Sequence, residues 1–445
     1  MRNGIRLSMV VGVLALPLAS CNDPQDTVTA KQSFGPSPTL PGPQTSLIPT
    51  VNVAFATGWP AGAKPVAGDD MTVNAFATGL DHPRSLFVLP NGDVLVAETN
   101  APPKPDDGSG IVHWVTRWVM GRAGANTPSA NRITLLRDAD GDGTAETRSV
   151  FIEGLNSPFG MALVGDDFYV ADSDAILKFP YHAGDTEISS AGVKLADLPA
   201  GRINHHWTKD LTASPDGSKL YATVGSNSNV GENGVEAEVN RAAVLEVDRA
   251  TGKWRVFASG LRNPNGPSWQ PQSGALWVTV NERDELGNDL VPDYMTSVKD
   301  GAFYGWPYSY FGQHADDRVK PPRPDLVAKA VAPDYALGAH TASLGLTFNT
   351  GDLFPPAMAG GAFVGQHGSW NRKPRAGYKV IFVPFTDGKP SGGPRDVLTG
   401  FLNAQGEAQG RPVGVKIDKR GALLVADDVG NAIWRVTPSE KSAAR

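Results

Sequence analysis

Beyond residue 70 the apolar and polar positions alternate over short runs, and each run is bounded by Gly, Pro, Asn or Asp. That is the period of β-strands, with turn signals every ~8–12 residues. No stretch carries the long apolar stripe of a packed helix. The pattern also repeats. A first copy, FATGLDHPRSLFVLPNGDVLVAE, carries Gly79-Leu80, Pro83, Gly92 and an alternating strand over residues 93–97. Others are FIEGLNSPFGMALVGDDFYVAD, LADLPAGRINHHWTKDLTASPDGSKLYATVG, FASGLRNPNGPSWQPQSGALWVTV and LTGFLNAQGEAQGRPVGVKIDKRGALLVAD. A less regular unit, LGLTFNTGDLFPPAMAGGAFVGQ followed by YKVIFVPF, precedes the last. About six copies at a period of ~40–70 residues predict an all-β, six-bladed β-propeller.

Composition agrees with that reading. The 50 Gly and 36 Pro residues supply the corners of repeated blades, so 445 residues form one propeller rather than several domains. With 40 basic against 46 acidic side chains the net charge is −6, which leaves no basic excess to hold nucleic acid. A single cysteine excludes a disulfide framework.

The chain opens on an address. Arg2 and Arg6 precede an apolar run over residues 7–19, too short to span a bilayer comfortably. Leu18-Ala19-Ser20-Cys21 closes it and looks like the lipobox of bacterial lipoproteins, with Cys21 acylated; the alternative is a plain secretory signal. The expected organisation is a signal segment over 1–21, a flexible Pro/Ser/Thr-rich tether over 22–70, the propeller over 71–438 and a tail over 439–445. The protein is expected to be exported, on the periplasmic side, and held to a membrane by its lipid.

No G-x-G-x-x-G after a strand, Walker loop, G-x-S-x-G elbow, H-E-x-x-H or CxxC occurs, so nucleotide, serine-hydrolase and thiolate-zinc chemistry lack their motifs. A propeller gathers the loops of distant repeats into one funnel, so site residues are sought at the corners. His205-His206 precede a strand, and only one of the two can face inward; imidazole is suited to accept a proton near neutral pH. In GLRNPNG, Arg262 suits a ligand carboxylate and Asn263 a carbonyl, or the arginine satisfies loop carbonyls. NERDELGNDL, residues 281–290, offers oxygen ligands for a hard cation. Asp138, Asp140 and Asp142 begin a calcium-type loop whose twelfth position is Ser149 rather than Glu, which leaves calcium and a plain Asp/Gly turn both open. QHGSWNRKPR places His367, Asn371, Arg372, Lys373 and Arg375 in one cationic loop suited to a small anion.

RNPNG, the acidic loop and then Gly305-Trp306-Pro307 resemble the pyrroloquinoline quinone (PQQ)-dependent soluble glucose and aldose-sugar dehydrogenases. NHHWT, VGSNSNVG, NERDELG, HGSWNR and GRPVG look more like the sorbosone dehydrogenase branch, and the resemblance covers about 76–438. It implies a six-bladed propeller holding PQQ and Ca²⁺ and oxidising a sugar or sugar-aldehyde. His206, rather than His205, would be the general base, with Arg262 beside the quinone carbonyl and Asn263 on the cofactor. The backbone carbonyls of Glu282 and Arg283 would bind the calcium. Arg411, with the Arg372/Lys373 loop, would hold the cofactor carboxylates. Electrons would pass to a periplasmic or membrane acceptor. The sequence departs from that pattern at Ser226, where the glucose enzymes have an Asp partner for the His, and at Val413, where a second arginine is expected. It departs again at Glu282-Arg283, which replace Gly-Pro, and in a longer loop around His367. The alternatives are a calcium-dependent lactonase on the same fold and a non-catalytic lipoprotein propeller that binds a glycan or protein.

Overall fold

The computed structural model describes residues 28–44, 50–103, 121–125 and 127–439. The expected signal segment with Cys21, and the tail beyond Ser439, lie outside the described residues.

Six antiparallel sheets follow one another along the chain. Their innermost strands are Pro83–Val88, Gly160–Val164, Leu211–Ala213, Pro264–Trp269, Ser343–Phe348 and Pro412–Ile417, and we number the blades 1 to 6 in that order. This is the six-bladed β-propeller that the repeats predict. The last blade is closed from the far end of the chain, because Met71–Thr78 pairs antiparallel with Ala432–Pro438, with Val73 opposite Val436.

The second strand of each blade is buried along nearly its whole length, as in Val94–Glu98, Leu276–Val280 and Leu423–Asp427. A sheet wedged between two others has no solvent face, so these strands read as continuous apolar runs. Alternation is confined to outer strands such as Met71–Thr78. The core is correspondingly divided into interblade seams. Phe151, Phe168 and Val170 pack on Leu95, Ile133 and Leu135 between blades 1 and 2, while Phe363, Phe382, Leu423 and Trp434 pack between blades 5 and 6. Each buried Val, Leu or Phe contributes about 1.5–3 kcal/mol relative to exposure.

The stretch expected to be a tether is bound to the propeller over its described part. Phe34–Gly35 adds an edge strand to blade 4 and Val66–Ala67 one to blade 5. Trp59 inserts edge-on between Phe401 and Trp434 and donates from Nε1 to Asp427 at 2.7 Å. A composition rich in Pro, Ser and Thr does not prevent this, because sheet edges offer unpaired main-chain groups to any extended segment.

Candidate functional site

In every blade the innermost strand begins where the second strand ends: Pro83 lies opposite Glu98, Pro264 opposite Val280 and Pro412 opposite Asp427. Each corner is therefore beside the residue that closes the second strand. In blades 1, 2 and 6 that residue is an acid which accepts from a corner N–H, Glu98 from Asp81, Asp172 from Asn156 at 2.9 Å and Asp427 from Arg411 at 2.7 Å. Blades 3, 4 and 5 have no acid there, their second strands ending at Val224, Val280 and Gln366, and in blade 3 Ser226 lies two residues further on.

There the imidazole of His206 turns inward while His205 is exposed. Nδ1 of His206 lies 2.8 Å from the Ser226 carbonyl oxygen and 3.0 Å from its hydroxyl. Gly225 makes this approach feasible, because a Cβ there would collide with His206 and with Asn263 Oδ1. Burial, and then the charge of Arg262, hold the imidazole well below its ordinary pKa. Behind the loop, Arg241 donates to the carbonyls of Pro199 (3.0 Å) and Ala200 (3.3 Å) and to Asn204 Oδ1 (2.7 Å). The buried Lys209 donates to Trp207 O at 3.1 Å.

Arg262 is 4% exposed and satisfies loop oxygens. Its Nε donates to Asn229 O (3.2 Å), Nη2 to Asn229 Oδ1 (3.1 Å), and Nη1 to Asn281 O (3.2 Å) and Glu282 O (2.8 Å). One of the two carbonyls expected to bind calcium thus already carries a guanidinium. The Arg283 side chain is fully buried, paired with Glu282 at 3.0 Å and Asp316 at 3.1 Å. A calcium ion on the Glu282 oxygen would sit against the Arg262 charge, so the 281–283 turn does not fit that metal. Asp284, next in the turn, would be raised by burial, but His340, Arg262 and Asn371 bring it to about 2. Both ring nitrogens of His340 face acceptors, Asp284 Oδ1 at 3.2 Å and Gly287 O at 2.9 Å, which an imidazolium satisfies.

A second group of charges, of which the sequence reading named only His367, joins blades 1, 5 and 6. The Asp428 carboxylate receives Arg84 Nη1 at 2.8 Å and His367 Nε2 at 2.9 Å, with His82 Nε2 at 3.5 Å. Burial alone would raise Asp428, but His367, His82 and Arg84 hold it far below the carboxylate range. Burial lowers His367 to about 4 despite that partner, and lowers His82 as well. Arg84 reaches over the Trp207 ring of blade 3, 5.9 Å from its centroid, which places it on the axis. Below it Phe159, Trp207 and Val413 form an apolar floor. Arg411 donates from Nη2 to Ala54 O at 3.0 Å and lies over Tyr378. The buried atoms around this funnel without a partner among the described residues include two donors, Arg84 Nε and Arg411 Nε, and two acceptors, Asn263 Oδ1 and Asp428 Oδ1.

The structure therefore brings His206, Arg262, Asn263 and Arg411 to the corners around one axis. It places Arg372 and Lys373 otherwise. Arg372 bridges to the blade 4 loop through Asp289 Oδ1 and Asn288 O, both at 2.9 Å, and Lys373 is exposed. Asp138, Asp140 and Asp142 lie away from the corners, on an exposed turn between the outer strands of blade 1, with Glu146 as the fourth carboxylate and all four within 4.8 Å of one another. Ser149, in the twelfth position, donates to Thr186 O instead. Arg84 had one signal in the sequence: like Arg411, it is an arginine directly beside a corner proline.

A family model described as a domain of unknown function, DUF7133, matches residues 90–369, and one described as TrAA12-like matches residues 325–439. An uncharacterized protein of Borreliella burgdorferi is 29% identical over 241 residues, 54% of this chain and 62% of its own length. A pyrroloquinoline quinone-dependent pyranose dehydrogenase of Coprinopsis cinerea is 44% identical over 57 residues, 13% of this chain and 7% of its own. The chain thus spans less than two thirds of the length of either relative. Among solved structures, the Trichoderma reesei carbohydrate-active enzyme of family AA12 superposes with a TM-score of 0.68 at 19% identity, covering 87% of this chain and 99% of that one. The holo PQQ domain of the Coprinopsis cinerea pyranose dehydrogenase gives 0.65 at 20% identity, covering 87% and 100%. At such identities the likeness is one of fold.

Proposed function

The chain belongs to the DUF7133 family, and from that premise we propose that it is an exported quinoprotein oxidoreductase that oxidises a sugar or sugar-aldehyde, aldose or sorbosone-like, with PQQ. The observation that carries this reading is the pair of buried guanidinium nitrogens without a partner, Arg84 Nε and Arg411 Nε, with Asn263 Oδ1 also unpartnered, in a protein of net charge −6. Two guanidiniums with spare donors and an amide beside them fit a flat polycarboxylate. The Coprinopsis relative, whose name states both PQQ and pyranose, supports the cofactor and the substrate class.

Arg84 and Arg411 would hold the carboxylates and Asn263 the ring edge. When bound, PQQ would supply the two-electron acceptor. His206, neutral and with Nε2 open, would accept the proton of the sugar hydroxyl or aldehyde hydrate as hydride leaves the same carbon, giving a lactone or an acid. Arg262 would act as a fixed positive charge beside that proton transfer. Calcium has no step here, since the turn expected to hold it carries Arg262. No observation favours a lactonase: among the described residues the grouped carboxylates with metal-like spacing are those of the exposed turn at Asp138 to Glu146.

Titrating the purified protein with PQQ, followed by dye reduction over aldoses and sorbosone, tests the reading. A stoichiometric spectral change with turnover is expected; no binding would overturn it. The membrane anchor is part of the same proposal, and Cys21→Ser should move the protein from the membrane to the soluble fraction of cells.

A further inference from the structure

The glucose-type pattern pairs the catalytic histidine with a carboxylate, and this chain has Ser226 there. Ser226 is 0% exposed, and its hydroxyl donates to Ser228 O at 2.7 Å. Its own proton is thereby used, and the lone pairs of Oγ are what it presents to His206 Nδ1 at 3.0 Å. The carbonyl oxygen of the same residue, 2.8 Å from Nδ1, can only accept. Two acceptors on one ring nitrogen require that nitrogen to carry the proton. Nε2 is then the unprotonated atom, and among the described residues nothing hydrogen-bonds to it.

We propose that Ser226 is a positioning residue which, through its carbonyl and hydroxyl together, fixes His206 as the neutral Nδ1–H tautomer with Nε2 open to the funnel, so that the base works without a carboxylate partner. This rests on the dehydrogenase reading for the role of His206, but not for its tautomer. The charged and titratable groups around the imidazole are Arg262 on the blade 4 corner, Arg241 before the third strand of blade 3, and His205 beside it. Lys209 lies at the base of the same loop, with Asp174 of blade 2 acting on it. No carboxylate is among the largest influences on the ring. Burial and the Arg262 charge therefore keep it neutral into the acid range. A glucose-type His–Asp pair would favour the imidazolium. The consequence for function is a base that stays in its working form at acid pH and is a weaker proton acceptor.

The test is made on the apoprotein, by nitrogen-15 imidazole spectra of the full chain between pH 5 and 8, with His206→Gln used to assign the resonance. The expected result is one neutral Nδ1–H tautomer whose titration lies below the ordinary imidazole value of 6.5. An Nε2–H tautomer, or titration at or above pH 6.5, overturns the proposal. Ser226→Asp should bring His206 into the titrating range, and in active enzyme should move the acid limb of the pH–rate profile upward by about one to three units. Ser226→Thr, which keeps both acceptors, should leave the tautomer and that limb in place. If Ser226→Asp does not fold, the spectrum of the unaltered protein still decides. If the tautomer is found and no sugar is oxidised with PQQ, the proposed function fails and the positioning stands.

Discussion

Gly225 separates the two residues on which the site turns. A methyl group on its Cα would collide with Asn263 Oδ1 and with the Cβ of His206, so Gly225→Ala must push the imidazole loop outward. We expect turnover to fall about 10²-fold, the usual cost of misplacing a reacting group by about 1 Å, with the far-UV spectrum unchanged; kinetics and circular dichroism on the same sample check it. Asp428 and its partners set a pH dependence of stability instead. The pKa of His367 is near 4 in the fold and near 6.5 when unfolded, so between those values the unfolded chain binds the extra proton. The stability is fully present above about pH 6.5 and is lost as the pH falls toward 4. His82 is lowered in the same direction and adds to the loss. Asp428, held low, keeps its own contribution until still lower pH. His367→Gln should remove about 2 kcal/mol of the stability lost between pH 7 and pH 4.5, read as a shallower fall in Tm; an unchanged slope would show that His367 titrates normally. At this scale the sequence revealed residues that flank a corner proline, Arg262, Asn263 and Arg411. It did not reveal the Asp428 cluster, because His82, His367 and Asp428 meet only when blades 1, 5 and 6 are brought together.

The N-terminal strap works at the scale of elements. Its Ala54 carbonyl receives Arg411 Nη2, and its Trp59 supplies one of four donors to the buried Asp427, which burial raises to about 6. Trp59→Phe keeps the ring packing and deletes that donor, so it should cost about 1–3 kcal/mol, measured as a shift of the urea midpoint. A variant as stable as the parent would mean that water replaces the indole. The strap was invisible in composition because its attachment is through main-chain groups and two edge strands, neither of which leaves a periodic trace in two residues. The blades themselves were legible. Their hairpins showed in turns such as Asn91-Gly92, where Gly92 has a φ of 102°, whereas the run read as alternating over residues 93–97 is in fact buried on both faces.

For the whole molecule, Arg84, Arg262 and Arg411 stand together with Asp284 and Asp428 at the funnel of a protein of net charge −6. If Arg262 stands where a metal was expected, PQQ binding should be indifferent to chelators. Spectral titration in excess EGTA should give the same midpoint as in added calcium, and a tenfold weakening would return a metal to the 281–283 turn. The ring also imposes an order in time. Val73 must wait for Val436 before the last blade can close. At about 5–20 residues per second of synthesis the wait lasts tens of seconds. Throughout that interval the blades already made carry an open seam, and the ring has no closed form until its final strand arrives.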